Sequence, residues 1–413
     1  MAKTQKILQP QYVGKFQCIG PACEDSCCIG WRVQIDKDTY QKYRKCSDNE
    51  LRIKMDENVT RNRSNSRMLN YAKIVLNGDG ACPFIDGEKL CAIQRKLGEE
   101  LLSVTCTTYP RMTNTINDVL EKSLTMSCPE AARQALLTVD PMQFDEIEED
   151  NNARNNPGIV LDTRDLKLAQ RPQRYFWELR IFVISLLQNR SYLLWQRLVI
   201  LGLFCKNVNE LVTAGKAHDI TVLIDTYQSR LDQDIFRSEL DSIPNQLTIQ
   251  LELMKEVADI RVVTGVSSQR FVECFGEFLH GIQYTAEASK EEIGGRYVEA
   301  YDKYYQPFME QHEYILENYL VNFVFKNLFP VNGEKHIFDN YVMLIIHYSM
   351  IKMLLIGMAG YHKENFDTHH VIKLIQSFAK VIEHNNAYVK QAFKLLKANK
   401  MNTLAYMAIL TKN

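Results

Sequence analysis

Cysteine and histidine occupy separate parts of this 413-residue chain. Nine of the eleven cysteines lie between residues 18 and 128, and all nine histidines lie at or after His218. A metal site in the first third must therefore be built from thiolates, with a carboxylate at most, because imidazole is missing there. Thiolates are soft ligands that select zinc or iron–sulfur clusters rather than magnesium or calcium.

Eight of these cysteines are the candidate metal ligands. Four are compressed into the run CIGPACEDSCCIGW, and four follow at wide, irregular intervals: Cys18, Cys23, Cys27, Cys28, Cys82, Cys91, Cys106 and Cys128. Eight thiols suffice for one or two four-thiolate sites. Zinc sites usually show closely spaced C-x2-4-C pairs, and the wide spacing here suits an iron–sulfur cluster at least as well, so both metals stay open.

The N-terminal segment and the charge balance limit the cellular setting. The first residues contain no apolar run of signal-peptide length, so we expect a cytoplasmic protein whose thiols are kept reduced. The cysteines are then metal ligands or reactive thiols rather than disulfides. Lys plus Arg number 49 and Asp plus Glu number 50, and this balance excludes a strongly basic nucleic-acid binder.

One apolar segment, residues 341–359, is long enough to suggest a membrane span. It contains His347 and Lys352, and a lysine at the centre of a bilayer costs several kcal/mol. We therefore predict a buried core helix and no membrane partner.

Hydrophobic periodicity predicts a mainly α fold. From about residue 166 onward, apolar residues recur at helical spacing, and alternating strand patterns are scarce. We expect an irregular, cysteine-rich metal module over 1–140, packed on an all-helical domain over 166–413. Residues 141–165 are acidic, rich in asparagine and interrupted by Pro157-Gly158, which predicts a linker or exposed loop.

Three short helices are predicted inside the cysteine-rich module. Asp36 or Asp38 can cap a helix that runs through Arg44. Leucine and isoleucine at helical spacing predict a second helix over 88–102. Cys128-Pro129-Glu130 opens a third, and the dipole of that helix favours a thiolate at Cys128.

The cysteine order resembles that of a known family, the CxxCxxCC-type zinc- or iron-chelating proteins, and among them the flagellin lysine-N-methylases. The resemblance covers about residues 8–133. The matching stretches are QPQYVGKFQCIGPACEDSCCIGWRVQIDKDTY, Cys82-Pro83-Phe84, Cys91, TCTTYPR around Cys106, and SCPE around Cys128. All eight cysteines fit the family order.

The resemblance implies a protein-lysine N-methyltransferase. Its methyl donor would be S-adenosylmethionine, its partner flagellin, and its cofactor an iron–sulfur cluster of the four-iron type held by cysteines of this set. The resemblance does not say which four cysteines hold the cluster, zinc stays possible, and no catalytic base is identified.

Side chains close to the cysteines in sequence are the candidates for cofactor binding. Aromatic faces stabilise a sulfonium cation, which points to Trp31 and Tyr109, and Arg111 can pair with the cofactor carboxylate. In the alternative interpretation the two aromatic residues pack the metal module and Arg111 makes a structural ion pair. Tyr301, Tyr304 and Tyr305 form a further cluster, interpreted as a helix face that packs inward.

Two other functions stay open at this point. The chain lacks a phosphate-binding P-loop, an H-E-x-x-H zinc-protease helix and a G-x-S-x-G nucleophile motif, each of which would have assigned a chemistry. A non-catalytic scaffold stapled by zinc would need none of them. A thiol or redox enzyme would use the cysteines that exceed the four required by one cluster.

Overall fold

The structure is a computed structural model that describes residues 4–30, 33–64, 67–150, 157–244, 246–247, 249–252, 254–255, 268–332 and 336–412. The chain divides into two compact units. The N-terminal unit comprises Met1–Thr115, Val119–Ala131 and Asp145–Val160. The helical unit comprises Ile116–Asp118, Ala132–Phe144 and Leu161–Asn413.

The strands form two sheets, so the fold is mainly helical but includes more strand than the sequence predicts. The strands are β1 (Thr4–Pro10), β2 (Gln34–Ile35), β3 (Val59–Arg61), β4 (Ala72–Ile74), β5 (Arg111–Ile116), β6 (Val119–Leu124), β7 (Phe144–Asp150) and β8 (Pro157–Leu161). The larger sheet has the order β7-β1-β6-β5-β8, and the smaller has the order β2-β4-β3. β1 runs parallel to β6 with Ile7 opposite Leu120.

Strands β7 and β8 fall in the stretch predicted to be a linker or loop. The sequence of β7, FDEIEED, has too few apolar residues to show a strand pattern. Its charges are instead matched by lysines of neighbouring strands: Lys6 of β1 lies 2.9 Å from Glu146, and Lys122 of β6 pairs with Glu149. This pairing could not be read from the segment alone, because its partners lie far away in sequence.

Among its described residues, the N-terminal unit also contains six short α-helices, the last of which ends in the helical unit. They are α1 (Gln11–Lys15), α2 (Lys37–Arg44), α3 (Asn49–Asn58), α4 (Ala92–Leu97), α5 (Val104–Thr108) and α6 (Pro129–Leu136). A small apolar core that includes Ile35, Leu51, Phe84 and Ile93 lies among α2, α3, α4 and the smaller sheet. The unit therefore buries apolar side chains of its own.

Two of the predicted short helices are confirmed and one is shorter than expected. Asp36 caps α2, accepting a hydrogen bond from the Thr39 amide at 2.9 Å, and Pro129 begins α6. The predicted helix over 88–102 is only α4. It ends at Gly98, whose φ of 82° belongs to the left-handed region, where glycine is favoured because it lacks a Cβ atom.

The helical unit contains twelve α-helices among its described residues. They are α7 (Phe176–Leu187), α8 (Leu194–Thr213), α9 (Ile220–Asp232), α10 (Phe236–Asp241), α11 (Gln269–Gly281), α12 (Lys290–Ala300), α13 (Gln306–His312), α14 (Tyr314–Lys326), α15 (Ile337–His362), α16 (Thr368–Phe378), α17 (Asn386–Ala398) and α18 (Leu404–Thr411). The all-helical character predicted for this part of the chain is confirmed over the described ranges. The spacing of apolar residues also predicts a helix from Leu247 to Val257, and part of that stretch lies outside the described residues.

Helix α15 is the apolar segment that suggested a membrane span. It belongs to the one described segment that is long and apolar enough to cross a membrane, and the apolar window of that segment is wholly buried by the protein. The prediction of a core helix is confirmed. α15 crosses α11 at close range, since a Cβ atom on Gly281 would lie 1.8 Å from the Gly357 carbonyl oxygen.

A π-helical turn, Tyr301–Tyr305, joins α12 to α13. Pro307 follows this turn near the start of α13. Proline has no amide hydrogen to continue the helical bonding pattern and clashes with the preceding turn of a regular helix. Wide turns of this kind occur frequently at functional sites, and this one carries all three tyrosines of the cluster noticed in the sequence, Tyr301, Tyr304 and Tyr305.

Candidate functional site

Two loops of the N-terminal unit bring cysteines from distant parts of the sequence together. The Cys82 amide donates to the Cys28 carbonyl oxygen at 2.8 Å, and the Gly30 amide donates to the Gly80 carbonyl oxygen at 2.9 Å. Gly30 and Gly80 have φ values of 77° and 79°, which side chains with a Cβ atom rarely adopt. The glycines thus allow the double-cysteine loop to lie against the loop that carries Cys82.

Six thiols lie close enough for their charges to interact. Cys27, Cys82, Cys91 and Cys106 form one set in which every thiol raises the pKa of another or has its own pKa raised. Cys23, Cys27 and Cys128 form a second set of the same kind. Cys27 belongs to both. The structure therefore gathers six of the eight candidate ligands, drawn from both groups in the sequence.

Helix starts and a serine place three of these thiols beside hydrogen-bond donors. Cys91 immediately precedes α4 and accepts from the amides of Ile93 and Gln94. Cys128 precedes α6 and accepts from the amides of Glu130 and Ala131. The hydroxyl of Ser103, which caps α5 by accepting from the Cys106 amide at 3.2 Å, also bonds the Cys106 thiol.

Burial outweighs these donors. Desolvation raises the pKa of Cys82 to about 12 and the pKa of Cys106 and of Cys128 to about 11. Cys106 as a whole residue is exposed. Its sulfur atom, however, is surrounded by protein atoms on most sides. The start of α6 was expected to favour a thiolate at Cys128, and the amides of Glu130 and Ala131 do lower the pKa of that thiol. Desolvation raises the same pKa by more. Without a cation these side chains are protonated thiols at neutral pH.

The six gathered thiols are the kind of ligand that a soft metal requires, and they lie near one another. None of the described cysteines is joined in a disulfide. Within the described ranges, however, no three His, Cys, Asp or Glu side chains are placed as ligands of a single metal ion. The thiols converge on one region without forming a finished coordination shell.

The remaining cysteines lie outside the two sets. Cys18 is exposed, and Cys28 is half-buried and contributes its backbone carbonyl to the loop contact. Cys205 follows Leu203 and Phe204 in an apolar helical stretch and Cys274 lies in FVECFGEF, a setting that predicts core residues. Both are fully buried in the helical unit, which confirms that prediction. Cys46 is buried in the core of the N-terminal unit.

The three proposed cofactor contacts have different outcomes. Trp31 lies outside the described residues. The Tyr109 hydroxyl lies 3.2 Å from the Ser127 hydroxyl, and the ring sits beside Cys27 and Cys128. The Arg111 guanidinium stacks over the Phe16 ring at 5.4 Å, a contact that the sequence interpretation did not include. Tyr109 thus adjoins the thiols, while Arg111 is engaged by an aromatic face.

A second candidate site is a cavity of about 230 Å³ in the helical unit. Its aromatic lining comes from α8, the π-helical turn and α15, namely Trp195, Tyr301, Tyr305 and Tyr348. Tyr301 and Tyr305 do pack inward, as predicted, with ring centroids 5.7 Å apart. Their side chains also line the cavity, however, so they do not pack only against other side chains.

Three charged residues complete the cavity: Glu310, Glu313 and Lys352. Lys352 is buried, and its ammonium nitrogen donates to the Thr411 carbonyl oxygen at 3.1 Å. Burial lowers the pKa of Lys352 to about 7, opposed only in part by the nearby Glu313. A lysine with such a pKa is about half neutral at physiological pH.

The tyrosine cluster in the sequence includes two of the cavity's tyrosines, Tyr301 and Tyr305, but neither Tyr348 nor the cavity itself was predicted, and Tyr304 is half-buried outside the lining. Tyr301 and Tyr305, and likewise Tyr348 and Lys352, are four residues apart, a spacing that places side chains on one helix face. This spacing can be read from the sequence. The convergence of several helices around one cavity cannot be read from it, because that convergence depends on tertiary packing.

The fold and the gathered thiols define a mainly helical cysteine-cluster protein. Residues 180–410 match the model of the FliB lysine N-methylase C-terminal domain. The match covers more than half of the chain, and the protein belongs to this family.

Similar proteins extend the likeness beyond the C-terminal domain. The lysine-N-methylase of Salmonella typhimurium is 25% identical over 396 residues, which is 93% of both chains. The lysine-N-methylase of Salmonella choleraesuis shows the same identity and coverage. The flagellar biosynthetic protein FliU of Salmonella muenchen is 34% identical over 140 residues, or 34% of this chain and 82% of that protein. No solved structure matches the chain.

Proposed function

We propose that this protein transfers methyl groups from S-adenosylmethionine to lysine side chains of flagellin. The observation that carries the proposal is the likeness to relatives named lysine-N-methylase over 93% of both chains. The flagellar name of a third relative supports flagellin as the substrate class. The cavity within the matched domain adds aromatic faces and carboxylates, which are groups that attract organic cations.

The reaction sets clear demands on the site. The ε-nitrogen of the acceptor lysine attacks the methyl carbon, the carbon–sulfur bond breaks, and sulfur leaves with the electron pair as a neutral thioether. The attacking amine must first lose a proton, since free lysine has a pKa near 10.4. Carboxylates or a neutral amine near the acceptor nitrogen can take that proton, and after transfer the methylated ammonium releases another to solvent.

We further propose that the gathered thiols hold a metal centre, preferably an iron–sulfur cluster, through Cys27, Cys82, Cys91 and Cys106. These four are the largest set in which every pair of thiols interacts. A bound cluster would cross-link the double-cysteine loop, the segment that carries Cys82 and Cys91, and α5. It would also supply a positive charge that stabilises the thiolates. Zinc in the same set would supply the same cross-link, as the scaffold alternative requires.

The activity is tested by the intact mass of flagellin after incubation with anaerobically purified protein and S-adenosylmethionine. We expect mass steps of one methyl group that are absent when the methyl donor is omitted. Metal and sulfide analysis of the same preparation distinguishes iron–sulfur from zinc. Unmodified flagellin in the presence of a fully loaded protein would leave the scaffold as the better account.

The metal set is tested by substitution. Cys106→Ser should lower the metal content to a small fraction of its normal value, because one of four ligands is lost. Cys205→Ala is the matched control, since that thiol is buried in the helical unit and belongs to neither set. Equal metal content in the two variants would exclude Cys106 as a ligand.

A further inference from the structure

The cavity in the helical unit has a closed, aromatic end. Tyr305, Tyr348 and Lys352 are buried, whereas Gln306 and Glu310 are exposed. The cavity is therefore open at Glu310, and buried tyrosine rings form its inner wall. None of the hydroxyls of Tyr301, Tyr305 and Tyr348 is hydrogen-bonded to another side chain in the described part of the chain, so they are available to a ligand.

The two carboxylates of the cavity differ in what they already bind. Glu313 accepts the Leu194 amide at 3.0 Å on one oxygen and the Arg197 guanidinium at 2.5 Å on the other. Glu310 accepts only the exposed amide of Gln306, at 3.3 Å, and it has no ion-pair partner among the described residues. Glu310 is thus a carboxylate at the mouth whose charge is not balanced locally.

The base of the cavity does not cancel this charge. Lys352 is held by the Thr411 carbonyl oxygen at 3.1 Å, and burial lowers its pKa to about 7. Arg197 contacts both Glu313 and the buried Glu317, at 2.5 and 2.6 Å, and Arg190 also contacts Glu317, at 2.8 Å. These two arginines balance Glu313 and Glu317, so Glu310 is the lining carboxylate that has no cation among the described residues, and the mouth of the cavity favours a cation.

The volume distinguishes between two kinds of cation. Pockets for drug-sized ligands occupy about 300–1,000 Å³, and S-adenosylmethionine, with its adenosine, is a ligand of that size. The cavity here is about 230 Å³. This volume lies below that range, so the cavity suits four methylene groups and an ammonium better than the whole methyl donor.

We propose that this cavity receives the side chain of the acceptor lysine, which lies along the open side of the cavity with its aliphatic stem against the tyrosine rings and its ammonium at the mouth, beside Glu310 and Tyr301. The inference rests on the proposed lysine methylation and specifies where the acceptor binds. Glu310 acts here as a binding residue. The aromatic rings contribute through apolar contact with the stem and through their attraction for the cation.

Direct binding tests the cavity without any turnover. The probe is Nα-acetyl-L-lysine methylamide, observed by saturation-transfer NMR with the full-length protein. The control ligand, Nα-acetyl-L-norleucine methylamide, keeps an apolar tail but lacks the ammonium. We expect saturation transfer to the lysine tail and little to the norleucine tail. Equal transfer to both, or none to either, would overturn the inference.

Two variants locate the binding. Glu310→Gln removes the exposed carboxylate and should raise the KM for flagellin about tenfold with little change in kcat, the effect of one lost charged contact. Met309→Trp fills the cavity and should abolish the NMR signal. Glu291→Gln, an exposed carboxylate on α12 that does not line the cavity, should behave as wild type. Thermal unfolding checks that each variant is folded.

The outcomes separate this inference from the proposed function. If wild type methylates flagellin while Glu310→Gln keeps its KM and its NMR signal, only the cavity assignment is wrong. If Glu310→Gln or Met309→Trp instead weakens binding of S-adenosylmethionine in calorimetry and leaves lysine binding intact, the cavity belongs to the methyl donor and the inference fails. If no methylation occurs, the binding experiment still decides whether the cavity takes an alkylammonium.

Discussion

The two units of this protein obtain their order in different ways. The N-terminal unit has short helices and strands, and side-chain caps such as Asp36, Asp48 and Ser103 fix where its helices begin. The helical unit is organised around α15, most of which is buried. Hydrogen bonds to individual backbone groups are directional and can aim a thiol, whereas apolar burial is non-directional and can enclose a cavity.

This difference suits the candidate sites that the units contain. The thiols lie on loops and at or near helix starts whose geometry is set by glycine turns and caps, and their raised pKa values indicate that the protein alone does not stabilise them as thiolates. The cavity is walled by residues of several helices of the helical unit, among them α8 and α15. We expect perturbation of packing to affect mainly the helical unit and perturbation of caps mainly the N-terminal unit.

The largest effect should follow a change in packing. In Gly281→Ala the added Cβ atom would lie 1.8 Å from the Gly357 carbonyl oxygen, so α11 and α15 must separate. We expect a loss of about 3 kcal/mol or more in the free energy of unfolding, measured by denaturant titration. Gly276→Ala on the same helix meets nothing within 4 Å. It should be neutral or stabilise by up to about 1 kcal/mol, and equal losses in both variants would contradict the close crossing.

The sequence predicts features that depend on neighbouring residues. The cap at Asp36, the start of α6 and the buried position of α15 follow from local spacing and composition, and all three are present. Strand β7 was not predicted because its partners lie far away in sequence: it pairs with β1, and its carboxylates contact Lys6 and Lys122 of other strands. Local patterns carry no information about such distant partners.

In the candidate sites, too, local features could be predicted from the sequence and contacts between distant residues could not. The thiol chemistry of the first site follows from the absence of histidine before His218. Which cysteines converge depends on the loop contact between Cys28 and Cys82, which joins parts of the chain about fifty residues apart. The cavity could not be predicted from one helix, because its wall combines residues of α8, the π-helical turn and α15.

An intermediate effect should follow removal of the buried amine. The folded-state pKa of Lys352 is lowered from 10.5 to about 7 by burial. Between these values the folded protein binds fewer protons than the unfolded chain, so the stability of wild type rises with pH. Lys352→Met lacks this dependence. Its stability relative to wild type should be greatest near pH 6 and should fall by about 2–3 kcal/mol by pH 9.

Thermal unfolding at several pH values measures this difference. Lys303→Met is the control, since Lys303 is an exposed residue of the π-helical turn and its pKa is raised by Glu299. Its difference from wild type should change little over the same range. A flat difference for Lys352→Met as well would show that the buried amine keeps an ordinary pKa.

The smallest effect concerns one carboxylate that serves two helices of the N-terminal unit. Asp36 accepts the Thr39 amide at 2.9 Å and the Thr39 hydroxyl at 2.8 Å within α2, and it accepts the Val104 amide at 3.1 Å at the start of α5. Asp36→Ala should cost about 2 kcal/mol, more than the ~1 kcal/mol typical of a lost cap. Asp48→Ala is the control, since Asp48 accepts one amide, that of Leu51, at 3.0 Å.

The pH dependence distinguishes a charged cap from a packing contact. Burial alone would raise the pKa of Asp36, but the bonds from Thr39 and Val104 outweigh it and hold that pKa below its usual value. The stabilisation is therefore present above the unfolded-state pKa and is lost as the pH falls through the folded-state value. The difference in the free energy of unfolding between wild type and Asp36→Ala should therefore become smaller as the pH falls from 6 toward 3. Because α5 carries Cys106, the same variant should also lower metal content, an effect that Asp48→Ala should not show.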